Sequence, residues 1–172
     1  MDIKYLDKML SDNKLLLEKI RNYFEDGSII TIAVNKEEIR GHLLKADNNL
    51  KFVNDNIALG YFDWCITGCY YAVYHAALAL NILKGYHSKN HDATLCILIK
   101  EYYRKGVDAE EIALLNKFFL DYQEILFYVQ SKQKREDASY STQIKFDKTL
   151  ISGLRIKSAL FIDKAKQIIA NT

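Results

Sequence analysis

The stretch LGYFDWCITGCYYAVYHAALALNIL, residues 59–83, decides the fold. It is apolar almost all round. A helix of that character has no face to give to water and must be covered on every side, so it reads as the centre of a bundle. The interleaved Ala72, Ala76, Ala77 and Ala79 let neighbouring helices approach closely, and Gly85 closes the segment.

The rest of the chain supplies the covering helices. From Asp2 to about Glu25, residues Leu6, Leu10, Leu15, Leu16, Ile20, Tyr23 and Phe24 form an apolar stripe, stopped by Asp26-Gly27-Ser28. Ile29 to Val34 is short and β-branched. It reads as an extended linker or a stray strand, too isolated to build a sheet. Asn35, followed by Glu37 and Glu38, starts a helix that runs to about Asn54. Beyond the central helix, Asp92 or Ser88 caps a helix over about Ala93 to Arg104. Asp108, Glu110 and Glu111 open another that reaches about Lys134. A last helix runs from about Thr142 to Ile169. The prediction is all-α: an up-and-down bundle of about five to six helices, with residues 1–34 as a helical N-terminal extension and 35–172 as the bundle.

Composition agrees. The 172 residues contain no proline and seven glycines, which favours long helices over a many-turned β fold. With 49% hydrophobic and 27% charged residues the chain is not a disordered one. A net charge of +2 does not by itself argue a nucleic-acid partner, but residues 130–172 hold nine Lys/Arg against four Asp/Glu. A basic C-terminal third can meet phosphates; a solvated helix face is the plainer reading. Cys65, Cys69 and Cys96 lie in apolar segments. An odd count without a secretory signal points to a reducing cytosol and to buried small hydrophobes, not to zinc ligands. No uncharged apolar run of membrane-spanning length occurs, so a cytoplasmic protein with no membrane association is expected. Gly-rich phosphate loops, dinucleotide fingerprints and HExxH are absent from the sequence.

Three patches carry polar chemistry. On the central helix Tyr71, His75 and Leu78 share one face and Tyr70 and Tyr74 an adjacent one, which makes either a polar seam or a core with satisfied hydroxyls. Between Ser88 and Thr94 a loop-like stretch holds His91, with His87 just before it. Two imidazoles are too few for a metal, and none is expected. The third patch is KREDASY, residues 134–140. Arg135 suits bidentate phosphate contact, Tyr140 offers a hydroxyl and a stacking face, and Asp137 and Glu136 can orient the guanidinium or consume its charge.

In this order the patches resemble the HEPN family of small helical proteins. The resemblance runs from about Lys45 to Tyr140: an alanine-bearing helix with KADNNL, the helix with Tyr70-Tyr71-Ala72-Val73-Tyr74-His75, the turn Ser88 to His91, and an R-x-x-A-[DS]-Y-like element at Arg135 to Tyr140. It implies a helical bundle, commonly a homodimer, with the arginine motifs facing one another across a cleft. Active relatives cleave RNA without metal, using an arginine and a histidine four to six residues later. Here the histidine positions fall at Ser139 to Ser141. Tyrosine is a poor proton shuttle near neutral pH, because its ordinary pKa is about 10. The resemblance therefore implies RNA or nucleotide binding, with no cofactor, and leans away from an enzyme. Arg135 would bind phosphate, Tyr140 would stack, and His91, Tyr71, His75 and Asp137 would assist. It also implies a toxin–antitoxin or defence module and a nucleotidyltransferase as partner protein. A metal-independent endoribonuclease using Arg135 and His91, and a helical protein–protein interaction module, remain as alternatives.

Overall fold

The computed structural model describes residues 1–133 and 147–172, with side chains outside 124–133. Among the described residues there are seven helices and two short strands: α1 (Ile3–Ser11), α2 (Asn13–Glu25), β1 (Ile29–Thr31), α3 (Lys36–Leu59), α4 (Phe62–Leu83), β2 (Tyr86–Ser88), α5 (His91–Tyr102), α6 (Ala109–Gln133) and α7 (Lys148–Ala170). The fold is an all-α bundle around α4, as its sequence demands. Thirteen of the 22 residues of α4 are buried. Helices α3, α5, α6 and α7 all pack on it. By length and composition α4 could also cross a membrane, but 67% of its apolar window is buried inside this bundle.

Two local differences from the sequence reading have clear causes. The first predicted helix is two helices, because Asp12 is both a stop and a start. Its backbone is extended, its N–H closes α1 on the Lys8 carbonyl, and its carboxylate accepts from the Lys14 and Leu15 amides. The β-branched run after α2 also finds a partner. β1 pairs antiparallel with β2, setting Ile29 opposite Ser88 and Thr31 opposite Tyr86. The stretch before α5 is therefore partly strand, and Asn90, rather than Ser88 or Asp92, caps α5 by accepting from the Ala93 amide. Ser88 is buried and spends its hydroxyl on Thr94 at 2.7 Å.

Side-chain neighbours fix the helix directions. Val53 meets Gly68, and His42 meets His75, so α3 runs against α4. Tyr122 meets Tyr70 while α6 begins just past Val107, beside the end of α5, so α6 also runs against α4. Ser158 lies at Cys69 and Ile169 at Ile82, so α7 runs with α4. The C-terminal ends of α3 and α6 and the N-terminal ends of α4 and α7 therefore gather at one end of the bundle. Helix α5 starts at Tyr70 and Tyr74 and ends with the Tyr102 hydroxyl on the Leu80 carbonyl, because β2 first carries the chain back. Leu6, Met9, Leu16 and Ile20 of α1 and α2 share the same core.

Candidate functional site

The face that Tyr71 and His75 share on α4 is a polar seam. Their rings lie 6.3 Å apart. The Tyr71 hydroxyl meets the Tyr122 hydroxyl from α6 at 3.0 Å, and His75 Nδ1 meets His42 Nδ1 from α3 at 3.0 Å. The seam thus crosses three helices, Tyr122–Tyr71–His75–His42, and all four side chains are half-buried. In the histidine pair one nitrogen must donate and the other accept, so the contact cannot survive protonation of both rings. Burial favours the neutral forms: it pushes His75 down to about 4 and lowers His42 from its ordinary value. Burial and the Tyr71 hydroxyl push Tyr122 up to about 12.

Behind the seam lies a packed aromatic cluster. Tyr70 stacks on Tyr122 at 4.8 Å and 16° and on Tyr74 at 5.5 Å and 19°. His91 stacks on Phe119 at 4.0 Å and 6°. It is only 4% exposed, and neither ring nitrogen has a hydrogen-bond partner among the described residues. Burial, assisted by the nearby N-terminal ammonium, lowers its pKa to about 3. In this structure His91 is a neutral packing ring. His87 lies in β2, so the two histidines do not share a helix face, and among the described residues no three His, Cys, Asp or Glu side chains gather to hold a metal. Arg135, Asp137 and Tyr140 lie outside the described residues.

The sequence reading did not single out Tyr122 or His42. Leu115, Phe118 and Tyr122 recur at helical spacing and would have put Tyr122 on the inner face of α6. His42 follows Ile39 by three residues, so it borders the inner stripe of α3; only the tertiary contact reveals its partner.

Comparison with known proteins bears directly on this arrangement. The family model described as HEPN domain matches residues 39–144. The chain belongs to the HEPN domain family. The HEPN match takes in α3 from Ile39 onward and all of α4 to α6, hence the whole seam, and the sequence segment with Arg135 and Tyr140. Helices α1, α2 and α7 lie outside it. Among curated proteins, a UPF0332 protein of Archaeoglobus fulgidus is 22% identical over 133 residues, which span 77% of this HEPN chain and 96% of the relative. Membership carries a nucleotide- or RNA-related function in the broad sense.

Proposed function

We propose that this HEPN protein binds RNA or a nucleotide through Arg135 and Tyr140, as a homodimeric component of a toxin–antitoxin or defence module with a nucleotidyltransferase as partner. The observation that carries the reading is the span of the family match, which runs through residue 144 and so includes the Arg135 to Tyr140 element. Arginine offers a planar fork to a phosphate, and tyrosine offers a stacking face to a base. Binding is favoured over cleavage because no histidine follows Arg135 and because His91 is buried and neutral. Tyr71 and His75, half-buried on α4, are the polar side chains among the described residues that would assist the ligand.

The test is incubation of the protein with a mixed RNA pool in chelator, beside Arg135→Ala. Intact RNA that the wild type retards and the variant does not is the expected result. Cleavage by the wild type alone would replace binding with endoribonuclease activity, and the search for its imidazole would start at the half-buried His42, His75 and His87. Equal retardation by both proteins would remove Arg135 from the site.

A further inference from the structure

The end of the bundle where α3 stops and α4 starts carries an unusual concentration of exposed rings. Phe52 is 40% exposed, Tyr61 57% and Trp64 58%, with Leu59 beside them at 67%. Phe52, Tyr61 and Trp64, together with the Asn56 amide, line an open groove of about 400 Å³. Two glycines build it. Gly60, at φ 78°, makes the left-handed turn that delivers Tyr61 directly after α3. Gly68, one helical turn beyond Trp64, lets α3 press in: a Cβ there would meet Val53 at 2.6 Å and Phe52 at 3.0 Å. Phe52 is thereby held against the face of α4 that bears Trp64.

We infer that this groove stacks unpaired bases of single-stranded RNA. The inference rests on the RNA-binding reading. Three aromatic faces and the Asn56 amide oxygen, whose own Nδ2 donates to the Phe52 carbonyl, are what an unpaired base requires: a stacking surface and an acceptor for its edge. The charge distribution fits. Asp55 and Asp63 flank the groove in sequence and disfavour phosphates inside it, whereas Lys148 and Lys157 stand exposed on the N-terminal half of α7. The start of α7, with Lys148, lies at this end of the bundle. The backbone of a bound strand then follows the cations while its bases turn into the groove.

Trp64 is the protein's single tryptophan, so its emission reports the groove alone. The experiment titrates the whole protein with a mixed-sequence single-stranded RNA and with the same strand annealed to its complement. Emission and gel retardation are read together, and affinity is repeated with Trp64→Ala. The single strand should quench emission, the duplex should not, and Trp64→Ala should bind the single strand about tenfold more weakly. Retardation of RNA with unchanged emission and undiminished affinity in Trp64→Ala would overturn the groove while leaving RNA binding in place. Absence of retardation would overturn the RNA-binding reading and the groove with it. Emission that shifts with protein concentration alone would make a second copy the occupant instead.

Discussion

Helix α4 has two aromatic regions that differ in everything but composition. From Cys69 onward its rings pack against other helices, Tyr70 fully and Tyr71, Tyr74 and His75 in part. Tyr70 is 5% exposed and touches Tyr71, Tyr74, His91, Phe119 and Tyr122. At its N-terminal end Trp64 and the preceding Tyr61 stand more than half in solvent. The cause is cover. α6 crosses at Tyr122 and α5 begins at His91, so the middle of α4 has a helix on each of those sides, whereas at Trp64 the close neighbour is α3, drawn in at Gly68. The same residue type is thus spent on stability in one place and left available for a ligand in the other. Apolar surface kept in water costs stability, and a contiguous exposed patch marks a site of interaction more often than neglect.

The contrast predicts its own largest effect. Tyr70→Ala removes the ring at the middle of the cluster and leaves a cavity between α4, α5 and α6. It should destabilise the protein by about 3–5 kcal/mol, the cost usual for deleting a buried aromatic, measured by urea unfolding. A loss below about 1 kcal/mol would mean that the cluster collapses freely around the gap and that its burial confers little.

A middle-sized effect should follow from acid. The unfolded chain takes up a proton on His91 near pH 6.5, whereas the folded imidazole resists until pH falls to about 3. Between those values the unfolded state binds more protons, so stability falls as pH falls. From pH 7 to pH 5 the His91 share is about 2 kcal/mol. His75, lowered to about 4, and His42 act in the same direction, with a smaller effect because both are half-exposed. His91→Phe keeps a flat ring on Phe119 and removes the proton. Unfolding at pH 7 and pH 5 should show a shallower loss in the variant, and an unchanged loss would place the acid sensitivity on the His42–His75 pair.

These residues also mark what was legible in the sequence. The all-round apolar character of residues 59–83 announced a central helix, and the spacing of Tyr71 and His75 placed them on one face, because both are properties of a helix by itself. The β1–β2 pairing was not legible, since it joins segments more than fifty residues apart and Tyr86–Ser88 carries no strand signal to match the β-branched run at Ile29. Asp12 was passed over because the apolar stripe of Leu10, Leu15 and Leu16 continues across it; the break is a capping event between two helices that keep the same inner side. His42 and Tyr122 were missed for one shared reason. A seam is built from side chains of three helices, and periodicity gives each helix its inner face without the register between them. His91 looked like a loop residue because Ser88, Lys89 and Asn90 precede it; the cap at Asn90 instead turns it inward as the first residue of α5.

The smallest effect is the sharpest test of the contrast. Trp64→Ala removes a larger ring than Tyr70→Ala does, so composition alone would predict the greater loss. Exposure predicts the reverse. A ring 58% exposed has lost less than half of its surface to burial, and the groove it leaves is already open to water, so no cavity forms. The cost in urea unfolding should stay below about 1 kcal/mol. A loss comparable to that of Tyr70→Ala would show that Trp64 anchors the packing of α3 on α4 through Phe52, and the exposed corner would then be structural, with no surface left over for a base.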